Sequence, residues 1–350
     1  MKPCILFDIL QFPRLTLLCA VSLSWLGSLP ISAFAQEGIA AGVEGASIKP
    51  SASTNLYSLF LAEVINSGLM ELGYDVEPTQ QLQVAIAHAA VATSDVHFLT
   101  AHWENLNFPM IENNGGEAVL QRVGVLVDDT VQGYLIDKAT AEEFGITNLE
   151  QLQDPQLARL FDTDGDGKAN LVGCNPGWGC GAVTEHHLEA YDLSETVKFV
   201  QGEYDALIAD TITRLEQGES ILAYAYSPHW AGAFLVPDDN VVWLEVPFTT
   251  LPEEQADVAE VNTIVNGQNL GFAVDRIRVV ANADYLTQNP VASKWLELVQ
   301  IPIEDVNAQQ KQVHEGERTP EDARRHAMEW IEANRDLFDR WLAEARQVAG

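Results

Sequence analysis

Apolar positions along this chain fall into two alternating rhythms. From Thr54 to Leu72, Tyr57, Phe60, Leu61, Val64, Leu69 and Leu72 recur along one helical face. That spacing predicts a helix stopped by Gly73. Gln81 to Ala92 predicts a second apolar helix. Short apolar or β-branched runs predict strands at Gly45–Lys49, Val96–Thr100, Val119–Val127, Gln132–Asp137, Val197–Gln201, Ile221–Tyr226 and Val241–Val246, with a long one over Leu270–Asn282. Helices are predicted near 140–144, 154–161 and 182–190, and over Tyr204–Gln217. The C-terminal part reads as helical over 283–299, 303–313 and 320–347. Thr319-Pro320-Glu321-Asp322 supplies an N-cap, a proline at the first helical position and acids in the first turn. Trp295, Trp330 and Trp341 lie in these helices among apolar residues and are read as core. Strands alternating with helices predict an α/β fold. Ligands of such sheets sit beyond the carboxyl ends of strands. Trp103, the loop 173–180 and the Tyr224/Tyr226 segment all lie at or just past strand ends, so three aromatic sites can meet in one cleft.

The N-terminus changes the picture of compartment. Lys2 and Arg14 precede an apolar run, Leu15–Leu29, too short for a confident membrane span. Ala33-Phe34-Ala35 then offers a small-residue cleavage site. Residues 1–35 are expected to be a signal peptide, and the mature chain to begin near Gln36 with about 315 residues, enough for two domains. Cys4 and Cys19 leave with the signal. The remaining pair, Cys174 and Cys180, is expected to form a disulfide in an exported protein. The net charge of −32 becomes −33 without the leader, which makes nucleic acid and anionic membranes poor partners.

The richest segment is Gly173-Cys174-Asn175-Pro176-Gly177-Trp178-Gly179-Cys180. A disulfide there closes a tight loop, and the glycines are expected to turn backbone N–H groups into a cavity beside Trp178. Anion donors next to an aromatic face suit a ligand with both a carboxylate and an apolar cation. A quaternary ammonium has no N–H to donate, so contact with ring faces is its available specific attraction. Other motifs are weaker. Asp162, Asp164 and Asp166 with Gly167 resemble the start of a calcium loop, but position twelve is Gly173 where a bidentate Glu belongs. A polar turn is the expectation, with no metal site and no cofactor. His186 and His187 are adjacent, cannot share one helix face, and are expected to be an exposed pair. Cys180 with His102 as thiol and base would make an exported thiol-dependent enzyme; the partner Cys174 argues for an oxidised sulfur and no enzyme.

Gly133 to Lys138, Leu160 to Ala169, Gly173 to Cys180, Ala209 to Ile212 and Val241 to Leu244 together resemble the substrate-binding proteins of glycine betaine/proline betaine ABC importers, over nearly the whole mature chain. The resemblance implies a two-lobed periplasmic-binding-protein fold of type II with the ligand in the interlobe cleft. It implies lobe one from 36–131 and 270–350, lobe two from 132–269, and hinge closure. It also implies a periplasmic, monomeric protein that delivers its ligand to a membrane permease driven by a cytoplasmic ATPase, for osmoprotection. In that family three tryptophans box the methylated ammonium. Two match Trp103 and Trp178, and Tyr226 stands at the third position. The carboxylate donors match the N–H groups of Gly179 and Cys180, and a family histidine is aligned with Asn107. Glu104 replaces a neutral residue beside Trp103 and, if it faces the pocket, would favour choline or another quaternary ammonium over a betaine.

Overall fold

A computed structural model describes residues 43–256 and 258–348. The leader reading, with Cys4, Cys19 and the cleavage site at Ala35, lies outside the described residues. Nine strands form one sheet. In spatial order eight of them are Gln80–Leu82, Pro50–Ser53, Phe98–Trp103, Asp275–Asn282, Leu120–Asp137, Leu222–Ser227, Ala169–Val172 and Val197–Val200; Val241–Leu244 is the ninth and pairs with Leu120–Asp137. The strands at both ends of this order pair in parallel, while the central pairings are antiparallel.

The central strand Leu120–Asp137 is 18 residues long and changes partners partway. Leu120 to Thr130 pair with Asp275–Asn282; Val131 to Ile136 pair with Leu222–Ser227; Tyr134 to Asp137 pair with Val241–Leu244. The expectation of two separate strands is corrected here. Asp128-Asp129-Thr130 looks like a turn, and Asp129 does adopt φ 57°, but the ladder resumes on new partners beyond it. A predicted strand at Gly45–Lys49 is observed only as Ser47–Ile48, paired with Asp75–Val76 outside the main sheet. The sheet strand is the next segment, Pro50–Ser53. It carries no strongly apolar residue yet is buried throughout, with Ser51 Oγ donating to the Phe98 carbonyl at 2.8 Å. Strand Ala169–Val172, which feeds the cysteine loop, is likewise absent from the sequence reading.

Helix Leu56–Leu72 ends as expected at Gly73, whose left-handed φ of 106° suits glycine. The tail helix predicted over 320–347 is two helices, Pro320–Ala333 and Arg335–Gln347, parted at Asn334. The Thr319 cap forms a full capping box with Asp322. Trp295, Trp330 and Trp341 pack together as core: Trp330 stacks on Trp341 at 6.4 Å, and Trp295 meets Trp341 edge-on. Trp295 Nε1 donates to the Ile65 carbonyl at 3.0 Å, and its ring fills the space left by Gly68.

The His186–His187 pair is not exposed as expected. His187 is fully buried and wedged between the central strand and the 250 loop: it accepts from the Tyr134 hydroxyl at Nδ1 (2.8 Å) and donates from Nε2 to the Thr250 carbonyl (3.0 Å). Adjacent helix positions point apart, so one ring went inward while His186 stays half-buried and bonds Thr250 Oγ1 at 2.7 Å.

Two stability predictions follow from this packing. A Cβ on Gly68 would lie 1.9 Å from Trp295 Cζ2, so Gly68→Ala forces the ring or helix to shift. The expected cost is about 1–3 kcal/mol, read as a lower denaturant midpoint; an unchanged midpoint contradicts the packing. Burial lowers the His187 pKa to about 3, against an unfolded value near 6.5. The unfolded chain then takes up the proton first, so stability falls as pH drops below 6.5. One such histidine contributes about 2 kcal/mol of loss by pH 5. Denaturation of His187→Gln over pH 5–7 should show a shallower pH slope than the parent.

Candidate functional site

Three separate elements bring the predicted rings together. Trp103 is the last residue of strand Phe98–Trp103, Trp178 precedes the first turn of helix Gly179–Ala190, and Tyr226 is near the end of strand Leu222–Ser227. Trp103 and Tyr226 lie 5.6 Å apart between centroids at 84°, and Trp178 and Tyr226 lie 6.1 Å apart at 78°. Rings crossing at near right angles make the walls of a box rather than a stack. Trp103, Asn107, Trp178, Gly179 and Tyr226 line one pocket, joined by Asn55, Tyr57, Leu106 and Tyr224. The free space left between these walls is about 30 Å³, room for a water or two.

The cysteine loop places the start of a helix against this box. Cys174 and Cys180 form the expected disulfide, with their Cα atoms 6.5 Å apart. It ties the end of strand Ala169–Val172 to the first turn of helix Gly179–Ala190. Cys180 is buried; its side chain is not among those lining the pocket. The helix begins at Gly179, earlier than the predicted 182. Gly179 and Cys180 therefore hold its first two positions, whose N–H groups have no carbonyl within the helix to donate to. The positive end of the helix dipole adds to their attraction for an anion. The glycines serve more specific ends than expected. Gly177 turns the chain with φ 85°. Gly173 lets Phe199 approach, since a Cβ there would lie 1.8 Å from its ring. Gly179 lets the Leu106 carbonyl come within 2.2 Å of where a Cβ would be, so the two sides of the pocket meet at this glycine.

Asn107 is buried at the start of the short helix Phe108–Glu112 and caps nothing with its side chain. It is one of two side-chain amides among the lining residues, the other being Asn55. Glu104 does not face the pocket, so its expected influence on ligand charge is removed. Its carboxylate pairs with Arg278 at 2.9 Å and with Arg122 and Arg276 at 3.8 Å, on the other side of the strand end. None of the lining side chains carries a charge at neutral pH. Burial raises the Tyr226 hydroxyl well above its ordinary pKa, with neighbouring tyrosines adding to the effect, so the ring is a neutral phenol. The Tyr226 hydroxyl and Trp178 Nε1 are both buried without a hydrogen-bond partner among the described residues. The thiol–base pairing imagined for His102 and Cys180 is not formed. Cys180 is oxidised, and His102 Nδ1 donates to His88 Nε2 at 2.8 Å, leaving the His88 Nδ1–H for the Val84 carbonyl at 2.7 Å.

Tyr57 is the residue that sequence reasoning placed only as core. Its hydroxyl accepts from Trp103 Nε1 at 2.9 Å and from Asn55 Nδ2 at 3.4 Å, which fixes the Trp103 ring plane. The available signal was position. Tyr57 lies in the first turn of a helix that follows a strand, but that strand, Pro50–Ser53, was itself missed. None of the three aspartates at 162, 164 and 166 lines this pocket; they converge within 4.8 Å of one another. Lys198 reaches them, bonding Asp164 and, at 3.1 Å, Asp166, while Asp162 accepts from the N–H groups of Gly165 and Gly167.

Comparison with known proteins gives consistent matches. A glycine betaine-binding periplasmic protein of Dickeya dadantii is 44% identical over 306 residues, covering 87% of this chain and 92% of the relative. A glycine betaine/proline betaine-binding periplasmic protein of Escherichia coli is 40% identical over 303 residues, 86% of this chain and 91% of the relative. Among solved structures, the glycine betaine/L-proline-binding protein of Borrelia burgdorferi superposes with TM-score 0.67 at 15% identity, over 87% of this chain and 100% of that one. A choline-binding protein of an ABC transporter, in complex with choline, gives TM-score 0.65 at 16% identity, over 87% and 98%. These superpositions show the fold as the α/β, two-lobed architecture of periplasmic binding proteins. A family model described as the substrate binding domain of ABC-type glycine betaine transport systems matches residues 47–333, and with relatives above 39% identity along nearly the whole chain, the protein belongs to that family.

Proposed function

We propose that this protein captures glycine betaine or proline betaine in the periplasm and delivers it to the permease of an ABC importer. One observation carries the reading. Three neutral rings come together beside the first N–H groups of a helix, with Tyr226 nearly perpendicular to both Trp103 and Trp178. The rings suit a quaternary ammonium, each contributing about 0.5–2 kcal/mol once desolvated. The N–H groups of Gly179 and Cys180 suit its carboxylate, with the Asn107 amide as a further donor. A pocket whose walls carry no net charge matches a zwitterion better than an ion. The curated relatives, named as periplasmic betaine binders, support both ligand and compartment.

In this reading residues 36–131 and 270–350 form lobe one and 132–269 lobe two. The partner switch of the central strand between Thr130 and Val131 supports that division. Trp103 and Asn107 then belong to one jaw and Trp178, Gly179 and Tyr226 to the other, so ligand binding draws the lobes together. Leader cleavage near Ala35, action as a monomer and the absence of catalysis complete the proposal. A choline-binding reading has one observation in its favour: Asn107, at the position where the resemblance implies a histidine, lines the pocket and brings no positive charge to a carboxylate.

Titration calorimetry with glycine betaine, proline betaine and choline decides between them. Glycine betaine is expected to bind more tightly than choline by about 1–2 kcal/mol, the scale of a charge-assisted hydrogen bond. Tighter choline binding overturns that ranking. Asn107→His should strengthen betaine binding and leave choline nearly unchanged. Trp178→Ala should weaken betaine by roughly 1–3 kcal/mol through lost ring contact. A variant with the parental dissociation constant removes Trp178 from the site.

A further inference from the structure

The buried carboxylate of Asp275 stands outside the pocket wall, yet it holds the turn that forms part of that wall. Asp275 opens strand Asp275–Asn282 and pairs across to Thr130, the last residue before the central strand changes partners. Its Oδ1 accepts from the backbone N–H of Asn105 at 2.9 Å, from the Asn105 side-chain amide at 3.3 Å and from the N–H of Arg276 at 2.8 Å. Its Oδ2 accepts from the N–H of Leu106 at 3.0 Å. Asn107 then folds back and donates to the Trp103 carbonyl at 2.9 Å. The turn from Trp103 to Asn107 is thus anchored at its start by the sheet and in its middle by one carboxylate. Across the pocket, the carbonyl of Leu106 is the group against which Gly179 packs. The position of this turn therefore sets how Trp103 and Asn107 face the start of helix Gly179–Ala190.

We propose that Asp275 is a positioning residue of the ligand pocket, its ionised carboxylate holding the Asn105–Leu106 turn in the geometry that ligand capture requires. The proposal rests on the betaine reading of the pocket. All four partners are donors, so a proton on either oxygen would remove an acceptor and set a donor against an N–H. Burial, the largest influence, raises the Asp275 pKa to about 6, and the charge of Glu104 raises it as well, against the lowering effect of the N–H donors. The charged groups around it are Glu104 on the turn, Asp128 and Asp129 where the central strand bends, and Arg276 beside it, all bordering one cleft. Glu104 is paired with Arg278 and Arg276 with Asp128. Ligand affinity should fall as pH drops through about 6, as the carboxylate is lost. The effect on folding has the opposite sign. A carboxyl raised above its unfolded value near 3.9 takes its proton first in the folded chain, so this protonation does not weaken the fold. Weaker binding at pH 5 in a chain that remains folded separates the two.

The test compares the full-length chain with Asp275→Asn. Glycine betaine is titrated between pH 5 and 7.5, and amide hydrogen exchange is followed at Asn105 and Leu106. The parent is expected to lose affinity about tenfold between pH 7 and pH 5, the factor for one ionised group of pKa about 6. The variant should bind more than tenfold more weakly at pH 7 and show a flat profile. Its Asn105 and Leu106 amides should exchange faster while those of helix Leu56–Leu72 do not change. Parental affinity in the variant, a retained pH profile, or unchanged protection at the two amides overturns the proposal. If the variant fails to fold, the parent alone decides. Equal protection of Asn105 and Leu106 at pH 5 and 7, after correction for intrinsic exchange, sinks it. The exchange measurement needs no ligand. A parent that binds no betaine therefore ends the ligand reading, and exchange still decides the role of Asp275.

Discussion

Backbone hydrogen bonding over the 18 residues of Leu120–Asp137 demands more partners than any one neighbouring strand supplies. Strand Asp275–Asn282 covers the first part, and two others cover the rest. The change of partner between Thr130 and Val131 is also a change of direction, because Asp129 takes a left-handed conformation just before it. Everything that forms the pocket is arranged around this point. Strand Phe98–Trp103 reaches it from one side through Asp275–Asn282, and strand Leu222–Ser227 from the other. Crevices at such switch points are where open α/β sheets leave room for ligands. Asp275 lies opposite Thr130, so the group that holds the Asn105–Leu106 turn sits at the place where the two halves join.

Much of this was legible in the chain, and the rest was hidden for identifiable reasons. Helix Leu56–Leu72 announced itself because its apolar spacing and terminal glycine agree. Trp178 and the cysteine loop stood out because glycines, a tryptophan and an isolated cysteine pair rarely coincide. The strand Pro50–Ser53 did not, since its two buried serines need no apolar pattern: the Ser51 hydroxyl donates to the Phe98 carbonyl and the Ser53 hydroxyl accepts from the Asn55 N–H. Missing that strand hid Tyr57, whose place at the pocket follows from it. The single central strand was read as two because Asp128-Asp129-Thr130 has turn chemistry, and only long-range pairing shows that the ladder continues. His187 was read as exposed because polarity suggests surface; its two hydrogen bonds are formed by residues 53 positions before it and 63 after it.

Charge is distributed with a consistent division. The chain holds 51 acidic side chains against 19 basic ones, so each arginine and lysine has many possible partners. Three of those arginines, Arg122, Arg276 and Arg278, gather around Glu104 directly after Trp103. Such pairs contribute little stability when exposed. Here they occupy a carboxylate that could otherwise turn toward the rings, and they do so on the side of the strand end away from the pocket. The pocket itself is left to rings, amides and backbone. In a protein this acidic, neutral walls have to be maintained against the surrounding charge, and the loop at Trp103 does so locally.

A tyrosine at position 226, where the family resemblance implies a tryptophan, is intelligible in the same terms. Tyr226 is not an isolated ring: it contacts Tyr204 at 5.3 Å, Tyr224 at 5.9 Å and His229 at 4.8 Å as well as both tryptophans. His229 in turn is held by Asp205, which also takes the Trp230 indole N–H at 2.7 Å. The wall behind the box is therefore a packed aromatic layer, in which a smaller ring can be held rigidly by its neighbours. Rigidity matters more than ring size for a cage, because rings already set at their final angles lose little conformational freedom when a ligand arrives. A phenol keeps a π face and, being buried, keeps its proton. What it adds is a hydroxyl that, like the Trp178 N–H, has no partner among the described residues. In the proposed reading, the two groups add to the amides of Asn55 and Asn107 among the lining residues and weight the pocket toward ligands that carry oxygen close to the ammonium, which a betaine does and a simple alkylammonium does not.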